Sequence, residues 1–211
     1  MKQNYTELVC IIDRSGSMSS IATDTIGGFN TFMAEQKKLG DETNVTLVLF
    51  DDKYEVVHDN IDINKIPILD DNTFVPRGMT ALSDAIGKTI TTVGERLAKT
   101  KEEERPSSVI FCIITDGDEN SSKEYKASKI KEMITHQEQS YLWKFTFLAA
   151  NIDATETALN YGISRGASYN FKADSMSTSK MFTDISFACA SYSKGDRGFD
   201  LNSLQEPDPK K

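Results

Sequence analysis

What constrains this chain most is the alternation of near-continuous apolar runs with stretches of helical spacing. Glu7–Ile12, Val45–Phe50, Ser108–Thr115 and Trp143–Ala150 are such runs, and a strand with so little polar alternation is one covered on both faces. Between them, apolar residues step by three and four. Ala22, Ile26, Phe29 and Met33 mark a helix over Ser19–Leu39, and Leu82, Ile86, Ile90, Val93 and Leu97 mark one over Thr80–Leu97. Ser122–His136, Thr155–Tyr161 and Ser175–Tyr192 complete the helices, and Ala167–Phe171 makes a last short strand. Tyr54–His58 comes so soon after Asp51-Asp52-Lys53 that it predicts an antiparallel hairpin with the strand before it. Strands separated by helices take right-handed crossovers. The pattern therefore predicts an α/β fold, a doubly wound, mostly parallel sheet with one antiparallel edge strand.

The 211 residues fit one such domain, expected over residues 1–193. Beyond it the composition turns to Lys, Asp, Gly and Pro, which predicts a flexible polar tail over 194–211, disordered at Glu206–Lys211. Gly27-Gly28 interrupts the first helix at about 1 kcal/mol per glycine relative to alanine, a cost that predicts close packing against a neighbour. A formal charge of −8 opposes non-specific binding to nucleic acid or to anionic membranes and suits cation binding. No apolar stretch approaches the ~20 residues of a membrane span, and the chain opens on no secretory signal. The three cysteines lack zinc-ligand spacing, and Cys10 and Cys112 sit inside apolar runs as small hydrophobes. A reducing cytoplasm is the expected compartment, and the sequons at Asn4, Asn44 and Asn120 then read as chance.

Ligands of a doubly wound sheet bind beyond the carboxyl ends of its strands, where the crossovers change direction. Three segments fall there: Asp13-Arg14-Ser15-Gly16-Ser17, Gly78-Met79-Thr80 and Thr115-Asp116-Gly117. Each offers the small oxygen donors that Mg²⁺, Ca²⁺ and Mn²⁺ prefer. If the first segment stays extended, residues 13, 15 and 17 turn to one side, although Gly16 also permits a turn. Taken singly, each segment serves equally well as a helix cap, with Ser17 or Ser19 capping the first helix. Three together on one sheet edge point to a metal.

Asp13-Arg14-Ser15-Gly16-Ser17-Met18 resembles the Asp-x-Ser-x-Ser signature of the metal-ion-dependent adhesion site (MIDAS) of von Willebrand factor A domains. Thr80, in Gly-Met-Thr-Ala-Leu, resembles the threonine that this site takes from a second loop. Asp116, in Ile-Ile-Thr-Asp-Gly, resembles its second aspartate. The strand pattern is similar to that family's fold over about residues 5–193. The resemblance implies a Rossmann-like sheet whose metal is bound directly by Ser15, Ser17 and Thr80 in the ligand-bound state. Asp13 and Asp116 would act mainly through water or as anchors, and a partner's carboxylate would fill the sixth position. An ion with few carboxylates keeps much of its charge and attracts an outside anion. Mg²⁺ is the expected ion, with Mn²⁺ and Ca²⁺ as alternatives. The Thr-Ile-Gly-Gly-Phe-Asn helix is similar to stand-alone members from bacteria and phages.

The function this predicts is a metal-dependent binding module that grips Asp or Glu of a protein partner, and neither nucleic acid nor a membrane. The alternative is a metal-dependent hydrolase, a phosphatase or nuclease, on the same acidic site. Asp118 and Glu119 alone encourage it, since such chemistry wants more carboxylates or a second ion about 4 Å away. No Gly-x-Ser-x-Gly elbow activates Ser15, so no catalytic residue is assigned. His58 and His136 read as surface residues. Gly87-Lys88-Thr89 is no phosphate loop, because Leu82 stands where the motif needs glycine and the segment lies mid-helix. Trp143, Phe145 and Phe147 alternate as core residues rather than as a stacking platform.

Overall fold

In a computed structural model that describes residues 1–205, six strands join into one sheet. They are β1 (Lys2–Asp13), β2 (Glu42–Phe50), β3 (Tyr54–Asp62), β4 (Pro106–Thr115), β5 (Lys144–Ala150) and β6 (Ser168–Phe171), in the order β3-β2-β1-β4-β5-β6. Only β3 runs antiparallel to its neighbour, at the edge beside β2; the other pairs are parallel. A 3-10 turn (Gly16–Ile21) leads into α1 (Ala22–Lys38), followed along the chain by α2 (Leu82–Lys99), α3 (Ala127–Tyr141), α4 (Ala154–Asn160) and α5 (Ser175–Ser193). Helices flank both faces, as the sequence predicts.

The apolar runs resolve into two alternating sets. Leu8, Cys10 and Ile12 of β1, with Ile110, Cys112 and Ile114 of β4, belong to the core shared with Phe29, Phe32, Met181 and Phe182 of α1 and α5. Val9, Ile11, Phe111 and Ile113 belong to the opposite core, under α2, α3 and α4, and Trp143, Phe145 and Phe147 are buried there too. A Cβ on Gly28 would lie 2.1 Å from Cδ2 of Phe182, so glycine at this position is what lets α1 and α5 close together. Gly27 has open space around it; the packing reason holds for one glycine of the pair.

Beyond shifts at strand ends, helix α3 and the C-terminal segment differ from expectation. Helix α3 starts at Ala127 rather than near Ser122; ahead of it the chain forms a loop whose amides bond two carboxylates, those of Lys123, Glu124 and Tyr125 to Asp84 and those of Ser121 and Ser122 to Glu119. The polar segment expected to be loose from residue 194 is held to the body as far as Gln205. Leu201 is fully buried, Tyr192 donates to the Phe199 carbonyl at 3.1 Å, and the Gln205 side chain bonds the β6 backbone at Asn170 and Ser168. Phe199, Leu201 and Leu204, scattered among polar residues, are the apolar anchors. The expectation for Glu206–Lys211 lies outside the described residues. No helix among the described residues is long and apolar enough to cross a membrane.

Candidate metal centre

Strands β1 and β4 lie side by side with Ile12 opposite Ile114. From β1 the chain crosses through α1 to β2 on one side, and from β4 through α3 to β5 on the other. The two crossovers diverge, and the crevice they leave lies at the carboxyl ends of this strand pair. Asp13 is the last residue of β1, and Asp116 is the first after β4. Topology alone therefore sets two carboxylates, 103 positions apart in sequence, at one sheet edge.

The side chains there bond to one another. Ser17 donates from Oγ to Asp116 Oδ1 at 2.6 Å, and its Oγ lies 3.1 Å from Ser15 Oγ. Asp13 accepts the Ser15 amide on Oδ1 and the Thr115 hydroxyl on Oδ2, both at 2.6 Å. Thr80 comes from the loop ahead of α2: a Cβ on Gly117 would lie 3.6 Å from Ser17 Oγ and 3.8 Å from Thr80 Oγ1, so both hydroxyls stand over this glycine. The capping alternative does not describe them. Ser15 precedes the 3-10 turn without a side-chain cap bond, and the N-caps of α1 and α2 are Ile21 and Ala81.

Electrostatically the site is short of positive charge. Asp13 is fully buried and Asp116 is 2% exposed. Burial pushes the Asp13 carboxyl up to about 6, against the Thr115 and Ser15 hydrogen bonds, and the charge of Asp116 adds to the rise. Burial likewise raises Asp116, opposed by Ser17. Asp116 Oδ2 is buried without a hydrogen-bond partner, and leaving a buried carboxylate oxygen unsatisfied is costly. Arg14, the basic side chain of the signature, is turned away to Asp51 and Glu55 at 3.1 and 2.6 Å. Two carboxylates and three hydroxyls facing one crevice fit a hard divalent cation, whose bonds need oxygen and not sulfur or imidazole. Among the described residues no three His, Cys, Asp or Glu side chains gather to hold a metal, so an ion here would depend on the hydroxyls.

Sequence reasoning missed the residues that hold these groups in place. Thr115 orients Asp13. Asn120 accepts the Thr80 amide on Oδ1 at 2.9 Å and returns its own amide to the Thr80 carbonyl at 3.0 Å. Glu119 accepts the amides of Ser83, Ser121 and Ser122 and the Ser122 hydroxyl, and so serves as a loop anchor, while Asp118 is exposed. His58 lies on β3 and the exposed His136 on α3, each outside the crevice. The three cysteines gather in the core between β1, β4 and α5, with Cys112 Sγ 3.6 Å from Cys189 Sγ and all three free.

No protein-family model and no curated protein matches this chain. Solved structures do. Proximal thread matrix protein 1 of the mussel byssus, with a zinc-occupied MIDAS motif, matches 90% of the chain at TM-score 0.60 and 16% identity. The ArnB paralog VWA2 from Sulfolobus acidocaldarius matches 87% at TM-score 0.53 and 17% identity. This is a von Willebrand factor A-like fold. The manganese-loaded TRAP protein of Plasmodium vivax shares it over 86% of the chain, at TM-score 0.56 and 15% identity. The von Willebrand factor A-like chain spans about half the length of the first two, 47% and 44%, and 74% of the third.

Proposed function

We propose that this chain is a metal-dependent protein-binding module of the bacterial and phage type. A divalent cation, Mg²⁺ first and Mn²⁺ or Ca²⁺ as alternatives, is held by Ser15, Ser17 and Thr80 with Asp13 and Asp116 behind them, and an Asp or Glu of a partner protein completes its coordination. The observation that carries this reading is the buried, unpartnered Oδ2 of Asp116, whose Oδ1 is bonded by Ser17 and whose charge lies near the buried Asp13. The cation supplies the missing positive charge and keeps enough of it to draw an outside carboxylate. Two proteins of the same fold are described with zinc at a MIDAS motif and with manganese, which supports a divalent ion at this edge. The hydrolytic alternative draws nothing from Glu119, whose carboxylate is spent on backbone amides.

Titration of the full chain with Mn²⁺ in a calorimeter tests the site. One ion per chain, lost in Asp116→Ala, is the expected result; no binding, or two ions per chain, rejects it. For the partner, material recovered by affinity capture should disappear with EDTA and with Asp13→Ala. Recovery unchanged by both would sink metal-dependent gripping.

A further inference from the structure

Beside the candidate metal centre lies a charge network that the proposed binding does not use. Asp51, in the turn after β2, is fully buried. Its Oδ2 accepts Nε of Arg14 at 3.1 Å and Nε of Arg77 at 2.8 Å, and its Oδ1 accepts the Lys53 amide at 2.6 Å. Arg14 lies between the metal-site residues Asp13 and Ser15, and Arg77 three residues before Thr80. Backbone bonds tie the same segments together: the Arg77 amide to the Arg14 carbonyl at 2.8 Å, Gly16 to Gly78 at 3.3 Å, and Ala81 to the Asp51 carbonyl at 2.9 Å. Glu55 takes Nη2 of Arg14 at 2.6 Å, so two guanidinium charges are balanced by two carboxylates.

We propose that Asp51 is a positioning residue for the cation, fixing the loop of Ser15 and Ser17 against the loop of Thr80. This rests on the proposed metal site. The two loops approach from different strands, and hydroxyl ligands from both reach one ion when the spacing between loops is fixed to a few tenths of an ångström. Asp51 is buried and accepts a hydrogen bond from an arginine of each loop, whereas the exposed Glu55 bonds Arg14 and lies 3.9 Å from Nη2 of Arg77. It also keeps both guanidinium groups engaged with carboxylates outside the crevice, so that they neither neutralise Asp13 and Asp116 nor repel the incoming cation. An isosteric amide cannot replace it. With its oxygen toward the two arginines its NH₂ meets the Lys53 N–H, and flipped, its NH₂ meets the two Nε donors.

The test measures Mn²⁺ affinity by calorimetry, and the line shape of the bound ion by electron paramagnetic resonance, in the full chain. Asp51→Asn is expected to weaken Mn²⁺ about tenfold or more and to broaden the bound-ion spectrum. Glu7→Gln, which disturbs the buried Glu7–Arg96 ion pair midway along β1, serves as the stability control and is expected to lower the melting temperature with affinity kept within about twofold, since distant sites act independently. Asp51→Asn binding within twofold of wild type, or Glu7→Gln losing affinity as much as Asp51→Asn, overturns the proposal. If Asp51→Asn does not fold, Arg77→Lys, at a half-exposed position, carries the test with the same twofold threshold. Wild-type protein that binds no Mn²⁺ rejects the site itself, an outcome distinct from equal binding by wild type and variant.

Discussion

Strand β1 carries two buried carboxylates, Glu7 at its middle and Asp13 at its end, and the protein treats them in opposite ways. Glu7, fully buried, accepts Nη1 of Arg96 at 2.9 Å and the Thr46 hydroxyl at 3.2 Å, with a second guanidinium nitrogen of Arg96 against its other oxygen. Asp13, equally buried, has a hydroxyl and an amide, and its charged neighbour Asp116 is another carboxylate. Burying a charge is tolerable when a counter-charge is buried with it. At Glu7 the chain brings its own. At Asp13 and Asp116 two buried carboxylates stand together, and among the described residues no cationic side chain is bonded to either. The Glu7 charge is balanced within the fold, and the uncompensated pair is where the cation proposed above would sit.

That contrast can be broken in order of size. The largest effect belongs to Glu7→Ala, which strands the Arg96 guanidinium and should cost about 3–5 kcal/mol in urea unfolding, equally with and without metal. Next comes the ion itself. Mn²⁺ at about a hundred times its dissociation constant should stabilise wild type by about 2.7 kcal/mol and leave Asp116→Asn unmoved. Without metal, Asp116→Asn should be no less stable than wild type, since the substitution removes an unpaired buried charge. Denaturation curves for both variants, with Mn²⁺ and with EDTA, decide this. A metal-free loss in Asp116→Asn as large as that of Glu7→Ala would erase the distinction between the balanced and the unbalanced carboxylates.

How much of this was legible in the sequence depends on the physical origin of each part. Burial on both faces writes itself into apolar runs, so Ile11, Phe111 and Phe147 announced their strands. Yet β1 begins at Lys2, five residues before the run at Glu7, because backbone pairing to Arg105 and Pro106 asks nothing apolar of Lys2-Gln3-Asn4. The crevice was legible because strand order decides which loops meet there, and those loops carry Asp13, Ser15, Ser17, Thr80 and Asp116. The supports were not. Asn120 holds Thr80 across 40 residues, Asp84 holds Tyr125 across 41, and such pairings leave no periodicity. Asp51 looked like an ordinary turn residue because its two arginines lie 37 and 26 positions away. Polar spacing around Leu201 hid the docking of residues 194–205 in the same way.

Asp84 supplies the smallest effect and a third way of burying a carboxylate. It is 8% exposed and, instead of an arginine, takes the amides of Lys123, Glu124 and Tyr125 at 2.8 to 2.9 Å. Burial opposes its ionisation, but these three donors outweigh burial and hold its carboxyl below the usual carboxylate range. Because the folded state releases this proton more readily than the unfolded chain, the stabilisation is present above the unfolded value near 3.8 and is lost as pH falls through the lower folded value. Asp84→Asn should therefore cost about 1–2 kcal/mol at pH 7, with the gap to wild type closing in acid as Asp84 takes up its proton. The substitution should also quicken amide exchange at Lys123, Glu124 and Tyr125, while Mn²⁺ still stabilises the variant. If the gap stayed constant down to pH 2, the loop would be held by the packing of Tyr125 on Gly87, where a Cβ would meet the ring at 2.4 Å, rather than by the carboxylate. The amides would then offset burial without exceeding it, and Asp84 would titrate in the fold as it does in the unfolded chain.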